Sequence, residues 1–173
     1  MKKRLSVRYI TLSAMLVAMS VVIGIFCKSV LNFGGGLFRI TFENLPIIIS
    51  GIFFGPVAGA SVGLLSDIIS YLLSGQSYPL NVIVTVGAVS VGLVSGLVAR
   101  FAVRERGIPQ IILSGALAHV VGSMIIKPIG LFQFYQWAVL FRVPLYLVIA
   151  PIEIIILCLL YRNSAFRKIM DNA

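Results

Sequence analysis

The amino-acid sequence predicts an all-α integral membrane protein: a single membrane domain, residues 1–173, folded as six transmembrane helices with N- and C-termini cytoplasmic. Three observations predict it. Hydrophobic residues make up 60% of the chain and charged residues 11%, against about 45–50% and about 25% in an ordinary soluble domain. The apolar residues fall in runs near the ~20 that a helix needs to cross a bilayer. The basic residues gather in alternate segments between those runs, as cytoplasmic loops do.

The first run, from Val7 to Phe26, follows a basic start. It is long and lacks a clear cleavage site, which marks a retained helix rather than a signal peptide. A polar, glycine-rich loop follows, Lys28 to Arg39, with Gly34, Gly35 and Gly36 as a mobile gate, since glycine permits unusual backbone angles. The second run, Phe42 to Phe54, is short and ends at Gly55-Pro56, a turn and helix-start signal. Helix three runs from Pro56 to Leu73, and the polar loop Ser74 to Asn81 separates it from helix four, Val82 to Phe101. A charged turn, Arg104 to Gly107, leads to helix five, Ile108 to Ile126. An aromatic, amide-rich stretch, Lys127 to Arg142, precedes helix six, Pro144 to Tyr161, and a basic tail closes the chain.

Six crossings from a cytoplasmic N-terminus put Lys2, Lys3, Arg4, Arg8, Arg100, Arg104, Arg106, Arg162, Arg167 and Lys168 inside. Only Lys28, Arg39, Lys127 and Arg142 fall outside, which is the positive-inside distribution. It also explains the net charge of +9 without nucleic acid, for which no basic stripe or motif is present. Cys27 and Cys158 are far apart and form no CxxC, so they read as two apolar thiols. No GxxxxGK[ST], GxSxG or HExxH occurs, so nothing points to an enzyme, a cofactor or an ATP site of its own. The single histidine, His119, has no metal-ligand partner at a recognisable spacing and reads as a packed, hydrogen-bonded side chain.

The outer segments are chemically distinct. They carry Phe38, Arg39, Gln76, Tyr78, Asn81, Lys127, Gln133, Tyr135, Gln136, Trp137 and Arg142. Aromatic faces beside amides and cations suit a flat heterocycle that also bears negative charge; an interfacial belt of anchoring aromatics is the plainer alternative. Two carboxylates join them. Asp67 lies inside helix three and Glu43 at the outer start of helix two; an ionisable group in a span is costly enough to suggest a role. Glu153 in helix six lies deeper toward the inside and receives no role. Small residues recur at four-residue spacing: Ala14 and Ala18 on helix one, and Gly55, Gly59 and Gly63 on helix three. Such faces permit close helix contact, within the bundle or with a separate membrane subunit.

From Asn44 to Gly96 the chain reads NLPIIISGIFFGPVAGASVGLLSDIISYLLSGQSYPLNVIVTVGAVSVGLVSG. The order Leu-Pro, FGP, an Asp on helix three and a loop with Tyr-Pro resembles the substrate-binding S component of energy-coupling factor (ECF) vitamin transporters, most closely the folate-specific branch. The stretch HVVGSMIIKPIGLFQFYQWAVLFRVPLYLVIAPIE, His119 to Glu153, resembles that branch too. The resemblance implies a bacterial multi-pass cell-membrane protein that captures folate from outside. Delivery then needs a transmembrane T component and two cytoplasmic ATPases. It implies Ala14 and Ala18 as docking residues, while the glycines at 55, 59 and 63 depart from a matching alanine pair on helix three. On that reading Asp67 or Glu43 meets the pterin edge with Gln76 and Asn81, Phe38, Tyr78 and Trp137 stack, and Arg39, Lys127 and Arg142 meet the tail carboxylates; Gln133 completes the set. Alternatives are an S component for pantothenate, riboflavin or thiamine, and a small homo-oligomeric channel, which would need polar rings through its spans.

Overall fold

The computed structural model describes residues 7–33, 38–74, 81–102 and 107–171, without the side chains of 32, 33, 38, 39, 134, 135, 138, 140–142, 170 and 171. Helix α1 (Val7–Val30) leads into a short antiparallel pair, β1 (Asn32–Phe33) and β2 (Phe38–Arg39), in which Asn32 pairs with Arg39 and Phe33 with Phe38. The predicted gate, Gly34 to Gly36, lies between these strands and outside the described residues. Then come α2 (Asn44–Phe54), α3 (Pro56–Leu73), α4 (Val82–Leu97) and α5 (Ile108–Ala118). After these follow α6 (Lys127–Tyr135), α7 (Arg142–Arg162) and α8 (Ser164–Asp171).

Among the described residues, five helical stretches are long and apolar enough to cross a membrane: Val7–Val30, Pro56–Leu73, Val82–Ala102, Ile108–Gln133 and Val143–Arg162. The sixth predicted crossing, α2, has 11 residues, only ~16 Å at 1.5 Å per residue against a ~30 Å hydrocarbon core. Its position explains how so short a helix is tolerated. Every residue from Asn44 to Gly51 is buried, with α1, α3 and α4 packed around it. Inside such a sheath a helix end has protein rather than lipid for a neighbour, and its backbone groups can be satisfied there. Gly51 accepts from the Gly55 amide at 3.0 Å, and Gly55 accepts from Gly59 at 3.0 Å. Gly55 itself has φ 100°, a conformation that glycine adopts without strain. It turns α2 straight into α3, with Pro56 at the helix start.

The glycines at 59 and 63 are consumed inside the bundle. A Cβ on Gly59 would lie 2.3 Å from the Gly92 carbonyl oxygen, and one on Gly63 2.4 Å from that of Ala88. Helices α3 and α4 therefore touch backbone to backbone. This corrects the expectation that Gly59 and Gly63 belong to a partner-docking face, since both are buried against α4; Gly55 makes the corner, with open space where a side chain would be. Ala14 and Ala18 are exposed. Around the bundle the surface is apolar, as lipid requires, with Met15, Val22, Phe26, Leu72, Leu147 and Val148 exposed. The interior holds Leu16, Val21, Ile47, Ile48, Ile49, Val62, Val91 and Ile111.

Two stretches differ from expectation. Lys127 to Arg142 is helical: α5 runs on through wide, i→i+5 turns over His119–Ile126 into α6, and Gln136–Phe141 forms a 3-10 turn. Wide turns relieve the clash that Pro128 would make with the preceding turn of a regular α-helix. The basic tail forms α8, capped by Asn163, whose Oδ1 accepts from the Ala165 amide at 3.0 Å. Phe166 packs edge-on against Phe53 with centroids 5.8 Å apart.

Candidate functional site

Polar residues of the bundle converge around a small cavity lined by Ser20, Glu43, Ile47, Ser66, Asp67, Ser70 and Ala88. Glu43 stands at the N-cap of α2 in a helical conformation and makes no side-chain cap bond. Its carboxylate turns away from its own helix, and Lys127 Nζ donates to its Oε1 at 3.4 Å. Gly24 of α1 leaves space for the carboxylate, since a Cβ there would lie 2.9 Å from Glu43 Oε2. The Ser20 hydroxyl donates to the Glu43 carbonyl at 2.7 Å. One residue on, fully buried Asn44 accepts from Lys127 Nζ at 3.0 Å and donates to Ser123 Oγ at 3.4 Å.

On the opposite wall, the Thr85 hydroxyl of α4 donates to Asp67 Oδ2 at 2.7 Å. That bond fixes one oxygen of the carboxylate and leaves its acceptor capacity otherwise available, since an ionised carboxylate has about four lone-pair sites. Ser66, one residue earlier, is 3% exposed and its hydroxyl has no hydrogen-bond partner among the described residues. An unmet buried hydroxyl costs roughly 1–3 kcal/mol, and Ser66, unlike the equally unpartnered Ser50 and Ser114, lines the cavity. Ile47 and Ala88 supply apolar wall. The cavity's chemistry is two carboxylates and serine hydroxyls beside an apolar wall, suited to a ligand edge rich in N–H donors.

The sequence matches the family model described as ECF transporter, substrate-specific component, over residues 8–166. The chain is a member of that family. A crystal structure of FolT bound with folic acid superposes with a TM-score of 0.70 at 21% sequence identity, covering 92% of this chain and 95% of that one. No curated protein matches the sequence.

Within this substrate-specific component, three of the site residues expected from sequence meet at one place: Glu43, Asp67 and Lys127. Others lie elsewhere. Asn81 is committed as the cap of α4, accepting from the Ile83 and Val84 amides at 3.0 and 3.3 Å. Its amide nitrogen donates to the Gly130 carbonyl, tying α4 to α6. Trp137 is 73% exposed and stands edge-on to Phe132; Gln133 is exposed. Arg39 and Phe38 sit on β2 and Arg142 opens α7, but their side chains, like all of Gln76 and Tyr78, lie outside the described residues. Sequence reasoning missed Asn44, Ser66, Ser70, Thr85 and Ser123. The available signal was spacing: Ser66 and Ser70 stand four apart on either side of Asp67, and Thr85 stands four after Asn81. His119 and Glu153, both fully buried, face each other at 2.7 Å between Nε2 and Oε2. They join the α5 continuation to α7 and do not line the cavity.

Proposed function

We propose that this substrate-specific component binds folate and passes it inward through a T component driven by two cytoplasmic ATPases. The observation that carries the reading is the pairing of a polar cavity bearing Asp67 and Glu43 with likeness over 92% of the chain to FolT bound with folic acid. The pterin ring enters the cavity with its N–H-bearing edge toward Asp67, Glu43 and the Ser66 hydroxyl. Its aromatic linker and glutamate tail extend toward the outer segments, where Phe38, Tyr78 and Trp137 stack and Arg39 and Arg142 meet the tail carboxylates, with Gln76 and Gln133 beside them. Six crossings place both termini in the cytoplasm of a bacterial cell, α2 counting as the short one. The exposed pair Ala14 and Ala18 is the docking face on α1 for the T component.

Binding of the purified chain to folic acid, pantothenate, riboflavin and thiamine tests the reading. Folic acid is expected to bind far more tightly than the rest, and preference for any of the other three overturns it. Asp67→Asn keeps the shape and removes the charge facing the ring. It is expected to weaken folic acid binding by about tenfold or more, as for a hydrogen bond to a charged group, and titration calorimetry reads the change.

A further inference from the structure

Lys127 is a cation placed too deep to greet a ligand's tail. The residue is 5% exposed, and its ammonium is turned inward to Asn44 Oδ1 at 3.0 Å and Glu43 Oε1 at 3.4 Å. Its stem runs through a slot shaped by missing side chains. A Cβ on Gly87 would lie 2.6 Å from Lys127 Cγ, and one on Gly122 would lie 2.8 Å from the Gly87 carbonyl oxygen. Helix α4 and the wide-turned segment thus meet backbone to backbone where the lysine crosses.

The same segment carries two further polar residues at four-residue steps, His119 and Ser123, each 0% exposed. In a regular α-helix, positions eight apart are rotated ~80° from one another. Turns wider than four residues drift the opposite way, so the wide turns over His119–Ile126 bring His119, Ser123 and Lys127 closer to one line. Along that line His119 stands 2.7 Å from Glu153 of α7, and Ser123 accepts at 3.4 Å from Asn44 of α2, the residue that also accepts from the lysine.

We infer that Lys127 is a positioning residue for the ring end of the pocket, holding the Glu43 carboxylate and the Asn44 amide in place, and that it does not meet the tail carboxylates. A largely buried carboxylate is costly unless paired, and Lys127 supplies the pair. A tail carboxylate would have to enter the layer of Asn44, which is 0% exposed, and compete there with Glu43 for the ammonium. The inference rests on the folate reading and changes one of its assignments.

The test uses the purified full chain with two probes: folic acid, and 6-hydroxymethylpterin, which keeps the ring and has no carboxylate. Lys127→Met is expected to weaken both by a similar factor, about tenfold to hundredfold, the range for hydrogen bonds to a charged group. Gly87→Ala keeps the charge and pushes the stem aside; it is expected to weaken both probes in equal proportion by a smaller factor. This second variant decides the matter in the same way where Lys127→Met does not purify folded. Pairing Lys127→Met with Glu43→Gln is expected to cost less than the two separate losses combined, because the residues act as one unit. Loss confined to folic acid, or fully additive losses, overturns the inference. A wild-type chain that binds neither probe overturns the folate reading and this assignment with it.

Discussion

Helices α1 and α3 each carry small residues four positions apart, and the bundle uses them in opposite ways. On α1, Ala14 and Ala18 are exposed, each followed by an exposed methionine, Met15 and Met19. On α3, Gly59 and Gly63 are buried, and a Cβ on either would run into an α4 carbonyl. Both patterns follow from the same physics. Between helices in lipid there is little hydrophobic drive, so attraction comes from dispersion at close approach, and small residues permit that approach. The difference lies in how much approach is required. Contact with the backbone of α4 needs no Cβ at all, and only glycine meets that demand, whereas the α1 face keeps its methyl groups and remains open to a second protein.

The comparison can be broken most forcefully at Gly59. Gly59→Leu drives a side chain into the Gly92 carbonyl, where rigid backbone cannot give way. It is expected to destabilise the bundle by at least the ~1–3 kcal/mol typical of overpacking, seen as a lowered unfolding temperature and a loss of monodisperse protein. A variant that melts like the wild type would mean the α3–α4 contact is not tight. At Ala14 and Ala18 the expectation reverses. Changing both to Leu should leave unfolding temperature and ligand affinity as they were while abolishing ligand uptake by the assembled transporter in cells or proteoliposomes. Uptake that persists would make the α1 stripe lipid-facing and nothing more. The mildest change sharpens the α4 side. Asn81→Ala removes the cap and the bond to Gly130, and an exposed cap is worth roughly 1 kcal/mol; a small drop in unfolding temperature is the expected reading.

Hydropathy located the spanning helices well because lipid enforces continuous apolar length. Pro56–Leu73 has the bounds expected of it. The stretch after Ile126 was not legible as helix, because Lys127 and Pro128 together look like the end of a span. Both are accommodated by tertiary means: wide turns precede the proline, and the lysine is paired inside the bundle. The basic tail does carry a helical pattern, with Phe166, Ile169 and Met170 three and four residues apart, but it spans only eight residues, and α8 is held by Phe166 on Phe53. At the site, the charged members stood out because charge in a span is rare. Asn44, Ser66, Thr85 and Ser123 did not, since a single small polar residue in an apolar helix is unremarkable until its partner is known.

The sequence by itself determined that this chain lives in a bilayer, where its long helices lie, and that α2 is too short to cross unaided. Those are properties of each segment against lipid, and composition carries them. Only the tertiary structure decided which small face is buried and which is exposed, and that Asn81 caps α4 while Lys127 pairs with Glu43. Such outcomes depend on atoms brought together from distant parts of the chain: Lys127 and Glu43 are 84 residues apart, and no local pattern records which charge will face which.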